Sequence, residues 1–100
     1  MKIVSIETGG FKLDGGAMFG VVPKSLWQRT NPADENNLCP WSMRSMLVDY
    51  GDRKVLIDNG IGNKQSDKFF DHFHLHGDDT LLKSLASNSY HPDDITDVFL

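Results

Sequence analysis

Carboxylates, histidines and a single cysteine are the side chains that could do chemistry in this chain. Asp58 closes the run Met46-Leu47-Val48-Asp49-Tyr50-Gly51-Asp52-Arg53-Lys54-Val55-Leu56-Ile57-Asp58 and is followed by Asn59-Gly60-Ile61-Gly62. An acid at the end of an apolar stretch must find partners, because an unpaired carboxylate beside a core is costly. Asp58 is therefore the candidate site acid, and Gly60 the residue that lets backbone approach it closely. A simpler role for Asp58 is to cap the following turn with its own side chain, and the two roles are compatible.

Three histidines, His72, His74 and His76, alternate in sequence. On a strand all three would share one face; on a helix only His72 and His76 would, at i and i+4. The flanking phenylalanines favour a helix, so exposed helix and turn positions account for these histidines better than a metal cluster does. Asp78-Asp79 and Asp93-Asp94 resemble acid–base pairs, but each pair precedes a helical turn, where capping and the helix dipole explain it. Cys39 has no partner for an intrachain disulfide and cannot alone make a structural zinc site. It reads as a small apolar residue in a packed loop, and one cysteine suits a reducing, cytoplasmic compartment.

The elements that must position these groups follow from pattern. Residues 2–7 alternate as a strand, Gly9-Gly10 is expected to turn the chain, and Phe11-Lys12-Leu13 forms a second short strand ended by Asp14-Gly15-Gly16. Residues 17–42 form a long connection, with one helical turn at Lys24 to Trp27 and a polar stretch from Arg29 to Asn37. Trp27 and Trp41 bracket that stretch and give it something to bury. Met43 to Tyr50 and Arg53 to Asp58 form a hairpin about Gly51-Asp52. Val55, Leu56 and Ile57 suggest a strand buried on both faces.

Ser66 is a candidate N-cap for a helix that carries Phe69, Phe70 and Phe73 on one face as core residues and stops at Gly77. A second helix spans Thr80 to Ser87, with Leu81, Leu82, Leu85 and Ala86 as its buried stripe and Asn88 as a left-handed cap. Pro92 suits a first helical position, and Thr96 to Leu100 begins another strand. A helix followed by such a strand is half of a crossover, whose strand delivers its end to a sheet edge where ligands bind. These 100 residues are accordingly expected to be the leading part of a larger domain that continues after residue 100.

Composition narrows the function. The net charge is −4 and the isoelectric point about 5.4. The ten basic residues are scattered, which argues against a nucleic-acid or anionic-membrane surface. No apolar run approaches the roughly 20 residues of a membrane span, and the first residues lack the apolar core of a signal peptide.

Taken in order, Asp14-Gly15-Gly16, the long aromatic loop, the hairpin ending Leu56-Ile57-Asp58-Asn59-Gly60-Ile61-Gly62, a helix, and His91-Pro92-Asp93-Asp94-Ile95-Thr96-Asp97-Val98-Phe99-Leu100 resemble the N-terminal part of metallo-β-lactamase-fold hydrolases, particularly their lactonase-like branch. The resemblance covers essentially the whole chain. It implies an α+β, αββα sandwich fold, of which this is the N-terminal half, with a mixed β-sheet and packed helices. It also implies one or two metal ions, usually zinc, holding a hydroxide that attacks a lactone or similar small ester. The metal motif, His-x-His-x-Asp-His, would begin just after Leu100, so no ligand is expected in this segment and the segment alone is expected to be inactive. The position matching Asp58 sits behind the metals in such proteins and orders the ligand-bearing loop through hydrogen bonds. Met18, Phe19 and Trp27 would line the substrate mouth. The implied partner is a small-molecule substrate, without nucleic acid or membrane, and the oligomeric state is open. Two other readings are a non-catalytic α+β module that binds a partner through the Trp27–Trp41 loop, and a homologue that has lost its metal.

Overall fold

A computed structural model describes all residues, Met1–Leu100. Two long strands dominate it: β1 (Lys2–Asp14) and β2 (Leu38–Asp49) pair antiparallel over their whole length. A hairpin then leads to β3 (Lys54–Ile57), and β4 (Asp97–Phe99) joins β3 in parallel, giving a mixed sheet in the order β1-β2-β3-β4. The helices are short: α1 (Gly15–Phe19), α2 (Lys24–Trp27), α3 (Asp67–Asp71) and α4 (Leu81–Ser87), with a 3-10 turn at Pro92–Asp94.

Gly9-Gly10 does not turn the chain, contrary to the sequence expectation. The register of β1 slips between Glu7 and Gly9, which leaves Thr8 as an extra residue in a β-bulge. Glycine inside a strand marks a bulge as readily as a turn. Here the pairing with β2 carries β1 through it, and the Thr8 hydroxyl donates to the Met43 carbonyl at 3.1 Å. β2 correspondingly starts at Leu38 rather than Met43.

Local capping follows the sequence closely. Ser66 Oγ accepts the Phe69 N–H and Thr80 Oγ1 accepts the Lys83 N–H. His91 and Asp94 form a reciprocal capping box around Pro92. Gly51 takes the positive φ that the hairpin needs. The left-handed residue after α4, however, is Ser89 rather than Asn88. Asn88 instead turns its amide back to donate to the Ser84 carbonyl at 2.8 Å.

One face of the sheet is covered. Ile6, Leu47, Leu85 and Tyr90 form the core, with Val4, Leu81 and Ile95 against it. The Ser84 hydroxyl donates to the Glu7 carbonyl and fastens α4 across β1. Leu82 and Ala86 were expected in this stripe but point outward, Leu82 being 62% exposed. A helix lying on a single sheet buries a narrower stripe than one packed between layers.

The opposite face is largely bare, with Val55 the one apolar residue buried on it. Ile3, Met46, Ile57 and Phe99 are exposed on it, and Val48 and Val55 lie between them. The strand expected to be buried on both faces is so only at Val55 and Leu56. Only 11 of 100 residues are buried, and the radius of gyration, 16.1 Å, exceeds the roughly 13 Å of a compact domain of this length.

A second small cluster closes the far end of the β1–β2 ribbon. Phe19 stacks on Trp27 with centroids 4.8 Å apart and leans against Trp41 at 5.4 Å. Gly15 makes room for the Trp27 ring, since a Cβ there would overlap it. Cys39 is wholly buried, as its packing role requires.

Candidate functional site

β3 and β4 run side by side and end together, Ile57 beside Phe99. The next residue, Asp58, donates its N–H to the Phe99 carbonyl at 2.7 Å. Asp58 thus stands at the carboxyl edge of the parallel pair, the place where open α/β sheets bind ligands. Its φ is 65°, a left-handed conformation that costs a non-glycine residue on the order of 1 kcal/mol, although aspartate tolerates it better than most residues.

The Asp58 carboxylate is exposed, and its hydrogen bond within the chain is from the Asn59 N–H at 2.8 Å. Arg44 shares a groove with it, together with Ile3, Met46 and Ile57, but the Arg44 guanidinium is paired with Glu7. A carboxylate held in a strained conformation at a strand edge, with no cation committed to it, is available to something else.

The loop after Asp58 is held by close packing. Gly60 has φ 79°, and a Cβ on it would stand 2.8 Å from the Thr8 hydroxyl. The bulge in β1 therefore supplies the wall against which the loop rests. On one side of this contact lies a groove with Asp58, Phe11 and Phe73. On the other side opens a cleft of about 490 Å³ lined by Gly9, Gly60, Gly62, His76, Asp79 and Leu82 among others.

A crystal structure of a probable metal-dependent hydrolase from Staphylococcus aureus is similar to this chain, with a TM-score of 0.87 and 36% sequence identity over 97% of the present chain. The chain spans 35% of that protein's length. No protein-family model matches the sequence, and no curated protein matches it. The chain thus shares the fold of one portion of that larger protein.

No group of three or more His, Cys, Asp or Glu side chains is placed to hold a metal ion. The histidines separate because the helix ends early: α3 stops at Asp71, and the chain loops through His74, whose φ is 46°. His76 then pairs with Gly10 through two backbone hydrogen bonds of 3.0 Å. Its ring lies over Gly10, where a Cβ would come within 2.5 Å of Nε2.

Three other carboxylates, those of Asp34, Asp97 and Asp49, are occupied with structure. Backbone N–H groups, chiefly that of Leu38, hold the Asp34 carboxyl below the usual range, with Asn36 N–H and Lys12 contributing. The Thr96 hydroxyl and then Arg53 lower that of Asp97. The Tyr90 hydroxyl, donating to Asp49 at 2.7 Å, lowers the Asp49 carboxyl, and the same bond raises the Tyr90 phenol.

Of the residues singled out from sequence, Asp58 and Gly60 come together at the strand edge. Met18, Phe19 and Trp27 lie beyond the other end of β1, about 20 Å of strand from Thr8. Within that group Trp27 is buried, Phe19 packs on it, and Met18 is exposed. Sequence reasoning missed Thr8 and the docking of His76 on Gly10. The glycine pair inside a strand pattern was the available signal for the bulge, whereas nothing local announces the His76 contact.

Proposed function

We propose that this chain is the leading part of a metal-dependent hydrolase with the metallo-β-lactamase fold, from its lactonase-like branch. The observation that carries this reading is the strained, exposed Asp58 at the joint end of β3 and β4, together with the 36% identity to a probable metal-dependent hydrolase. The bare apolar face that Asp58 borders accords with a second sheet packing there, as an αββα sandwich requires. The substrate is a lactone or similar small ester, with one or two zinc ions as cofactor and a cytoplasmic setting. On this reading Met18, exposed at the tip of the ribbon, borders the substrate mouth, with Phe19 and Trp27 packed behind it.

No group of three or more His, Cys, Asp or Glu side chains gathers among these residues. On this reading the ligands follow Leu100, the 100 residues alone are inactive, and Asp58 orders the ligand-bearing loop from behind. The test is metal content and affinity in the protein extended through its next twenty residues. A His-x-His-x-Asp-His sequence there, with metal bound and affinity falling about 10–100-fold in Asp58→Ala, supports the reading. Absence of the motif overturns the hydrolase, and unchanged affinity in the variant overturns the role of Asp58.

A partner-binding module is the second reading, favoured by the exposed Met18, Val21, Val22 and Leu26 at the tip of the ribbon. Leu26→Ser leaves a hydrolase's metal content intact but abolishes partner capture by such a module.

A further inference from the structure

The cleft behind Gly60 is built from backbone. Four glycines with positive φ line it, Gly9, Gly60, Gly62 and Gly77, and they come from three separate segments of the chain. Gly10 adds a fifth bare position beneath the His76 ring. Positive φ is conformationally inexpensive only for glycine; Gly62 and Gly77 face open space, whereas Gly9, Gly10 and Gly60 make room for the side chains of Met43, His76 and Thr8. The cleft holds about 490 Å³, within the range of small-molecule sites.

Its chemistry is one-sided. Met43, Leu75, Leu81 and Leu82 provide apolar surface, and Leu75 and Leu82 are left exposed. Asp79 is the one acidic residue in the lining, and no Lys or Arg is present there. Asp79 enters none of the ion pairs of the chain. The neighbouring cation, Lys83, donates instead to the Asp78 carbonyl at 3.2 Å. An anionic ligand would meet a carboxylate and no counter-charge, whereas an ammonium group would find a free acceptor beside leucine surface.

We propose that this cleft binds a small aliphatic amine, its ammonium group on Asp79 and its chain across Leu82 and Met43. Binding here requires no metal. The test is titration of the protein with n-hexylamine, n-hexanol and hexanoate, followed through the amide resonances of Gly60, Gly62 and Gly77. Hexylamine shifts these resonances saturably and binds more tightly than hexanol, and hexanoate does not bind. Asp79→Asn, an exposed change that leaves the core intact, weakens hexylamine about three- to fivefold and leaves hexanol unchanged. Leu82→Ser weakens both. Hexanoate binding as tightly as hexylamine, an Asp79→Asn variant with unaltered amine affinity, or glycine resonances that do not move would each overturn the proposal.

Discussion

Gly60 rests directly on Thr8: a Cβ at position 60 would lie 2.8 Å from the Thr8 hydroxyl and 3.0 Å from its Cβ. Two residues fifty-two positions apart thus share one van der Waals contact that tolerates no added atom. The bulge in β1 pushes Thr8 out of register, and the loop after β3 closes onto it. This contact fixes where Asp58 stands and separates the groove beside it from the glycine-walled cleft.

Gly60→Ala should destabilise the protein by about 1–3 kcal/mol, since it combines a positive φ with a clash. Thr8→Ala in the same chain should return part of that loss, because the two sites are coupled. Urea denaturation of both single variants and the double variant measures it. A neutral Gly60→Ala, or strict additivity, would show that the contact does not constrain the loop.

Asp58→Gly should stabilise the fold by about 0.5–1 kcal/mol, since glycine adopts φ 65° without strain. The same change removes the carboxylate that the proposed metal site uses. Stability that rises while metal affinity falls is the signature of a residue retained for function rather than folding. A destabilised Asp58→Gly variant would instead make the hydrogen bond from the Asn59 N–H the main purpose of the side chain.

The Asp49–Tyr90 bond should shape the pH dependence of stability. The Asp49 carboxyl is lowered in the folded state, mainly by the Tyr90 hydroxyl. Its contribution is therefore present above the unfolded value of about 3.9 and is lost as pH falls through the folded one. The Tyr90 phenol is raised, mainly by Asp49, so its contribution is present below about pH 10 and is lost as pH rises through its folded value. Tyr90→Phe should lower the melting temperature at pH 7 and flatten both limbs of the profile. Thermal melts from pH 3 to 11 that superimpose for the two proteins would remove the pair from the account.

Leu85 is 1% exposed at the centre of the covered face. Leu85→Ala should cost about 2–5 kcal/mol, whereas Leu82→Ala, on the outer side of the same helix, should change stability by no more than about 0.5 kcal/mol. Equal costs measured by chemical denaturation would mean that α4 is also covered on its outer side in solution.

Much of the local structure was legible because its causes lie within a few residues. Ser66, Thr80, His91 with Pro92, and Gly51 each act on backbone groups at most four positions away, so the sequence announces the two main helices, the 3-10 turn and the hairpin. The ends of α3 and β2 were not legible. Residues 72–76 leave the helix to pair with Gly10, and residues 38–42 become strand because β1 runs past Gly9-Gly10 to meet them. Helix and strand propensity are weak beside such long-range pairing.

The site divides in the same way. The order of apolar strand, Asp58 and glycines was enough to single out Asp58 and Gly60 as candidates, since a carboxylate after a buried strand and a glycine loop are local facts. That Asp58 takes a left-handed conformation beside Phe99, that Gly60 is pressed against Thr8, and that His76 leaves its neighbouring histidines for Gly10 were decided by the tertiary structure alone. Each depends on which distant strand arrives alongside, and burial and close contact between remote segments leave no period or spacing in either segment by itself.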